Sequence, residues 1–314
     1  MNNISKELNG IVFRHTGSHY AVKNKGVGKT INCVVRGRLR LNASGTTNPV
    51  TVGDCVTFEM INDAEGVITA VQPRRNYIIR RATNLSSETH IIAANIDCAY
   101  LIATIAHPHN AWKFIDRFLV TCEAYKVPVK IVINKTDLYH EVENEEKNRF
   151  IQIYTQAGYE VIEVSATTGL HIDTLRDDIK GRFCLFSGAS GVGKSSLINA
   201  IDPALNLRIG KLSAAHLKGM HTTTFYEVFE LSSGGCIIDS PGIKGFGLVD
   251  VGKEELYHFF PELFRTAAQC KFNPCTHIHE PHCAVLQAID KGEISEERYD
   301  SYLKMFYDDN EKYR

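Results

Sequence analysis

A lysine and a serine at the end of a glycine-rich turn make a phosphate site when that turn joins a strand to a helix. Gly188, Ala189, Ser190, Gly191, Val192, Gly193, Lys194 and Ser195 fit the pattern G-x-x-x-x-G-K-S/T. The apolar run Phe183-Cys-Leu-Phe-Ser187 precedes them as a buried strand, and Ser195-Ser196-Leu-Ile-Asn-Ala200 opens a helix. Backbone N–H groups of such a loop turn inward around phosphate oxygens, and glycine lets the main chain approach closely. Lys194 adds a point charge to the phosphates, the Ser195 hydroxyl is placed for Mg²⁺, and Ser196 follows against the same phosphates.

A second set of residues selects a base. Asn134-Lys135-Thr136-Asp137 stands at the end of the apolar run Pro128-Val-Lys-Ile-Val-Ile133. A carboxylate placed there accepts from both N1–H and the N2 amine of guanine, an edge that adenine lacks; adenine would leave the Asp137 carboxylate desolvated and unpaired, at a cost of about 1–3 kcal/mol. Ser165 and Ala166, after the strand Glu160-Val-Ile-Glu-Val164, support the same base, with the Ala166 N–H directed at O6. Asp239-Ser-Pro-Gly242 follows Cys236-Ile-Ile-Asp239; its carboxylate suits the Mg²⁺ shell, and the Gly242 N–H a γ-phosphate. Between the two lies His221-Thr-Thr-Thr224, where a threonine completes the Mg²⁺ shell with GTP bound and releases it after hydrolysis. Thr223 is the expected ligand, although the sequence does not separate it from Thr222 and Thr224.

A third cluster has metal chemistry. Cys270, Cys275, His277 and Cys283 fall within fourteen residues, a donor set suited to a closed tetrahedral Zn²⁺. His279 and His282 compete with His277 for the fourth position. Such a zinc is structural, clamping a segment too short to bury a core of its own. The other six of the nine cysteines are isolated, mostly in apolar runs, where a thiol behaves as a small hydrophobe.

The elements that must position these groups alternate between Ala94 and Asp239. Strands at Cys98–Ala103, Pro128–Ile133, Glu160–Val164, Phe183–Ser187 and Cys236–Asp239 are separated by helices at Trp112–Tyr125, Glu143–Ala157 and from about Ile172. That rhythm predicts a parallel sheet covered on both faces, with ligands at the carboxyl ends of the strands, where every motif falls. The apolar stretch Ile91–Ala106, interrupted by Asn95 and Asp97, is too short to span a bilayer and is expected to be a strand entering that sheet. The acidic run Glu141–Glu146 is expected to be a solvated helix face.

Before the sheet, about 75 residues carry five short β segments separated by turns. They predict a small barrel of the OB type, whose usual ligand is an oligonucleotide, with another SH3-like barrel as the alternative. Gly26-Val-Gly-Lys-Thr30 imitates a phosphate loop, but Lys23 stands where the first glycine is required, so a hairpin is expected. Residues 1–81 carry a net charge of +7, residues 82–249 of −3 and residues 250–314 of −5. A basic first module on a nearly neutral chain suits a nucleic-acid partner. Arg74, Arg75, Arg80 and Arg81 surround Asn76-Tyr-Ile-Ile79 and either grip RNA or form a linker with solvated arginines. Domains are therefore expected over 1–75 (barrel), 76–249 (GTPase) and 250–314 (zinc-binding, mainly helical). The first ten residues lack the apolar core of a signal peptide, and the cysteine pattern suits a reducing compartment, so a cytoplasmic, monomeric protein away from membranes is expected.

The motif order is unusual: N-K-x-D and S-A precede the phosphate loop, so the GTPase sheet is circularly permuted and the chain leaves it just after Asp239–Gly242. These residues together resemble the circularly permuted GTPases of the ribosome small subunit-dependent GTPase A family (RsgA, also called YjeQ), over essentially the whole chain. Its most specific marks are the motif order, His221-Thr-Thr-Thr224, and Cys270-Lys-Phe-Asn-Pro-Cys275-Thr-His277 with Glu280-Pro-His-Cys283. The resemblance favours His277 as zinc ligand. It implies a GTP hydrolase that binds the small ribosomal subunit and its rRNA late in maturation and turns over GTP when docked there. Where Ras-like enzymes carry a glutamine after D-x-x-G, this chain has Ile243, which cannot orient water, so intrinsic turnover is expected to be slow. His221 is the candidate for that task; a structural switch histidine is the other reading. The competing functions are a signalling or metabolic GTPase with a protein partner, and an RNA-binding scaffold with structural GTP.

Overall fold

The computed structural model describes residues 7–26, 28–37, 49–81, 89–110, 112–207, 227–239 and 251–308. Five strands open the chain: β1 (Leu8–Thr16), β2 (His19–Asn24), β3 (Thr30–Val35), β4 (Cys55–Met60) and β5 (Glu65–Val71). β1 pairs with β2, β2 with β3, β3 with β5, β5 with β4 and β4 with β1, which closes a five-stranded barrel of the OB type. Alternate residues point inward, so Val12, Val22, Ile31, Cys33, Val56, Phe58 and Ile68 fill one core. The segment that imitates a phosphate loop is the β2–β3 turn: the Asn24 side chain accepts from the Gly26 N–H at 2.8 Å, and the Asn24 N–H donates to the Lys29 carbonyl at 3.0 Å.

A two-stranded sheet follows, β6 (Tyr77–Arg81) against β7 (Thr89–Ala94). The expectation of one strand within Ile91–Ala106 is corrected here. β7 stops at Ala94, Asn95 turns into the left-handed region at φ 56°, and β8 (Cys98–Ala103) begins in a different sheet. Polar side chains hold this corner. Asn95 accepts from the Arg75 N–H and donates to the Gly53 carbonyl, while Asp97 accepts from the Phe183 N–H at 2.7 Å.

The central sheet runs in the order β10-β9-β8-β11-β13-β12, with β9 (Val129–Ile133), β10 (Glu160–Glu163), β11 (Phe183–Ser187), β12 (Glu227–Glu230) and β13 (Cys236–Asp239). All neighbours are parallel except β12 on β13. β8 is buried on both faces, as a central parallel strand must be. Its Ala99, Leu101 and Ala103 meet the helices α1 (Trp112–Ala124) and α2 (Glu141–Ala157), whereas Tyr100 and Ile102 meet α3 (Ile172–Ile179) and α4 (Lys194–Ile201). The first turn of α2 is capped by its own acidic run, the His140 N–H donating to Glu143 at 3.1 Å.

The last segment is helical: a 3₁₀ stretch at Lys253–Phe259, α5 (Pro261–Ala267), α6 (Ala284–Asp290) and α7 (Glu296–Phe306). Its core gathers Leu256, Phe260, Leu263, Val285, Tyr302 and Met305 with Val120 of α1, and includes Cys275 and Cys283. No helix among the described residues is long and apolar enough to cross a membrane.

Candidate nucleotide site and metal cluster

The carboxyl ends of β8, β9, β10, β11 and β13 lie along one edge of the sheet, and the motif residues leave from those ends. After β11 the chain folds back tightly. A Cβ on Gly188 would lie 2.3 Å from the Ile102 carbonyl, so only glycine fits against β8 there. Gly193, at φ 93°, packs so closely on Asn134 that a Cβ would lie 2.5 Å from its Nδ2. Two motifs separated by nearly sixty residues in sequence are thus in direct contact.

Asn134 is the hub of this contact and is 1% exposed. Its N–H donates to the Ala103 carbonyl at 2.9 Å and its carbonyl accepts from the Tyr139 hydroxyl at 2.7 Å. Its side-chain amide donates to the Val192 carbonyl at 2.9 Å and accepts from the Ala166 N–H at 3.2 Å. Lys135, held in the left-handed region at φ 64°, donates to the carbonyls of Gly191 and His107 at 2.7 and 2.6 Å. Asp137 is exposed, and one of its oxygens accepts from the buried Ser165 hydroxyl at 2.6 Å. The Ser165 oxygen also accepts from the Thr168 N–H at 3.0 Å. The carboxylate is thereby aimed by its neighbour rather than left to rotate.

On the phosphate side, Lys194 spans the loop and donates to the carbonyls of Gly188 and Ala189 at 2.8 and 3.0 Å. Burial lowers its pKa, opposed by the charge of Asp239. Burial in turn raises the Asp239 carboxyl to about 6, opposed by Lys194. One Asp239 oxygen is buried with no hydrogen-bond partner among the described residues. A buried carboxylate with an unfilled acceptor beside a phosphate loop is the donor that a hydrated divalent cation requires. Ser195 is half-buried at the start of α4.

In the helical segment, Cys270, Cys275, His277 and Cys283 bring one ligand atom each to within 4.8 Å of one another and could hold a metal ion. Cys270 and Cys275 sulfurs each lie 3.8 Å from that of Cys283, and His277 Nδ1 lies 3.6 and 3.4 Å from the Cys270 and Cys283 sulfurs. His277 is the histidine of this group; His279 and His282 are outside it. The residues between the ligands are tied by Glu280, which accepts from the Thr276 N–H and hydroxyl and from the Ile278 N–H. Burial alone would raise its pKa; these donors outweigh it and hold the carboxyl down at about 2.

The comparisons with known proteins agree with this geometry. The family model described as RsgA GTPase matches residues 71–249, and that of the RsgA N-terminal domain matches residues 9–68. The chain belongs to the RsgA family. It is 49% identical over 308 residues to the small ribosomal subunit biogenesis GTPase RsgA of Bacteroides fragilis, covering 98% of this chain and 99% of that one. It is 50% identical to the protein of the same name from Phocaeicola vulgatus, with the same coverage. Among solved structures it resembles YjeQ from Thermotoga maritima, with a TM-score of 0.78, 33% identity and coverage of 96% of this chain and 98% of that one. It also resembles YloQ, a circularly permuted GTPase, with a TM-score of 0.73, 28% identity and coverage of 98% and 96%. The permutation read from motif order is borne out, as is the barrel ahead of it.

Other expected site residues of this RsgA-family chain are not among those gathered at the site. His221, Thr223 and Gly242, with Ile243, fall outside the described residues, as do the side chains of Arg80 and Arg81. Arg74 gives both arms of its fork to the fully buried Asp54, at 2.7 and 2.8 Å, and Arg75 binds Asp97 at 2.7 Å and the Asn95 carbonyl. Both arginines thus have carboxylate partners at the joint between barrel and sheet, Arg74 partly buried there and Arg75 still exposed to solvent. Three residues went unread in the sequence: Tyr139, Thr104 and Asn110, whose polar groups support the two loops from behind. No spacing pattern marks them, because they serve backbone carbonyls rather than a ligand.

Proposed function

We propose that this chain is a GTP hydrolase that binds the small ribosomal subunit and its rRNA and acts late in the maturation of that subunit, with hydrolysis of GTP to GDP and phosphate stimulated by the subunit. The observation that carries the reading is the direct contact of the base-selecting loop with the phosphate loop through Gly193 and Asn134. Asp137 would read the guanine edge, aimed by Ser165, and the Ala166 N–H would face O6. Gly188, Ala189, Ser190, Gly191, Val192 and Gly193 would enclose the phosphates with their N–H groups, and Ser196 would follow Ser195 against them. Lys194 would exchange its two carbonyl partners for phosphate oxygens; this electrostatic grip is its catalytic role. Ser195, Thr223 and Asp239 would hold Mg²⁺, which when bound neutralises charge on the β- and γ-phosphates. Gly242 would sense the γ-phosphate, and His221 would orient the attacking water in place of the glutamine that Ile243 replaces.

The metal is inferred to be one structural zinc. A Zn–S bond of about 2.3 Å sets a tetrahedral S–S edge of about 3.8 Å, and a Zn–N bond of about 2.0–2.1 Å an S–N edge of about 3.5 Å. The sulfur–sulfur separations of 3.8 Å and sulfur–nitrogen separations of 3.4 and 3.6 Å suit both. Four protein donors leave no position for catalysis. Relatives named for small-subunit biogenesis at about half identity over the full chain support the ribosomal partner. The basic barrel supports an RNA surface, to which Arg80 and Arg81 would contribute, and the working compartment is inferred to be the cytoplasm, with the chain a monomer.

Steady-state GTP hydrolysis, with and without purified small subunits and with large subunits as control, tests the proposal. Strong stimulation by small subunits alone is expected. Equal, slow turnover in every tube would refute the partner and leave a guanine-binding protein. In the same assay His221→Ala is expected to keep nucleotide binding and lose the stimulation.

A further inference from the structure

Three loops meet at the nucleotide site, and two of them are familiar: the base-selecting loop after β9 and the phosphate loop after β11. The third, residues 104–110 after β8, has no assigned part. Its backbone is nonetheless joined to both. The His107 carbonyl takes the Lys135 ammonium, which also reaches the Gly191 carbonyl of the phosphate loop. The Ile105 N–H donates to the Tyr139 hydroxyl at 2.9 Å, and that hydroxyl donates in turn to the Asn134 carbonyl.

The third loop is itself held by buried polar groups. The Thr104 hydroxyl donates to the Pro108 carbonyl at 2.6 Å, and the Asn110 amide donates to the Thr104 carbonyl at 3.0 Å and its hydroxyl oxygen at 3.2 Å. Thr104 is 2% and Asn110 8% exposed. Each partner of these hydroxyls and amides is main chain or another member of the set. Burial pushes the Tyr139 hydroxyl up to about 12, so it stays a donor throughout the neutral range.

We infer that Tyr139 and Thr104 are positioning residues for guanine-nucleotide binding: they fix the base-selecting loop against the phosphate loop, through Asn134 and through the His107–Lys135–Gly191 bridge. The inference rests on the guanine reading of the site. A nucleotide is gripped at both ends, so a shift of one grip relative to the other weakens the whole ligand even when each loop keeps its own shape. Because GTP and GDP share the base and the α- and β-phosphates, both lose affinity alike. The grip is the same in ground and transition states, so KM rises while kcat stays.

The test uses the full chain. Binding of a fluorescent GDP analogue and steady-state GTP hydrolysis are measured for Tyr139→Phe, Thr104→Val and Thr104→Ser, with thermal melting alongside. Tyr139→Phe is expected to raise the GDP Kd and the GTP KM together by roughly tenfold, the effect of about one net hydrogen bond, with kcat within about twofold. Thr104→Val is expected to do the same by roughly fivefold, and Thr104→Ser to restore the wild-type values. Tyr154→Phe is the control: it removes a hydroxyl of a still more deeply buried tyrosine, one that donates to Asp116 away from the site, and should lower the melting temperature with Kd unchanged. Wild-type Kd in both Tyr139→Phe and Thr104→Val overturns the inference, whatever their melting temperatures. If Tyr139→Phe fails to fold, the Thr104 pair decides alone. A wild-type chain that does not bind the GDP analogue would sink the guanine reading itself, a separate result.

Discussion

The central sheet carries two appended modules that are fastened by different physics. The helical module is held by a buried cluster of charges. Arg298 of α7, 1% exposed, donates to Asp116 of α1 at 2.6 Å and to Glu262 of α5 at 2.7 and 3.1 Å. Its guanidinium lies over the Phe260 ring at 4.7 Å and over Tyr154 and Tyr159 at 5.6 Å each. Burial raises the pKa of Asp116, and Arg298 opposes the rise. The barrel is held by main-chain contacts joined by neutral side-chain hydrogen bonds, from Thr51 to the Ile91 carbonyl and from Asn95 to the Gly53 carbonyl. Val52 bridges Ala93, the Ala94 N–H donates to the Val52 carbonyl at 2.9 Å, and Gly53 approaches Ala94 so closely that a Cβ would lie 2.1 Å from its carbonyl. β1 then meets β12 at the pair Arg14 and Glu227. Charges removed from water are costly to separate, whereas backbone links tolerate side-chain changes. The helical module should therefore fail at single residues, and the barrel only by degrees.

Chelation of the zinc inferred at the Cys270, Cys275, His277 and Cys283 cluster would challenge this contrast most severely. Cys275 and Cys283 belong to the core of the helical module, and structural zinc sites contribute on the order of 10 kcal/mol to small folds. Removal is expected to abolish the helical far-UV signal of that module while the GDP Kd stays within about twofold; an unchanged melting curve would show that the core stands without the metal. Next in size is Arg298→Met, expected to lose about 3–5 kcal/mol in urea unfolding by leaving two buried carboxylates unpaired. Adding Asp116→Leu and Glu262→Leu should recover most of the loss, and no recovery would mean that packing rather than charge holds the module. On the barrel side, Asp54→Asn is expected to lose about 1–3 kcal/mol, because Arg74 is partly exposed and regains water. Faster proteolysis near residues 72–76 with unchanged GDP affinity would place the weakness at the joint. The smallest change is Lys23→Ala, which removes an exposed ion pair to Glu230 of β12 and should cost no more than about 0.5 kcal/mol, vanishing in high salt.

The catalytic edge was legible because its chemistry obliges particular residue types: glycines where main chain touches main chain, a lysine and serine for phosphate, a carboxylate for guanine. Strand ends were legible for the same reason, each motif marking where an apolar run must stop. The joints were not. Arg74 and Arg75 carry the same residue type as an RNA grip, and only the fold reveals Asp54 and Asp97 as their partners. Asn95 reads as a polar interruption of a strand, yet its left-handed turn separates two sheets. Tyr139 and Thr104 act on carbonyl groups that every residue possesses, so nothing in their spacing announces them. The histidine of the metal set stayed open among three candidates in the residue spacing itself, because separations of two, four and seven positions from Cys275 are equally possible until a chain path is known.

The meeting of β1 with β12 has a further consequence, for solubility. A parallel sheet of this kind ends in two strands whose outer N–H and C=O groups invite other chains. At one end stands β10, four residues long, with Glu160 and Glu163 paired to Lys130 and Lys147 at 2.9 and 2.6 Å. Short length and charge discourage a visiting strand there. At the other end β12 is just as short, and the barrel lays its own first strand against it. The module that opens the chain thus serves as a bumper, standing against the start of that edge, where the sheet would otherwise be open to accretion.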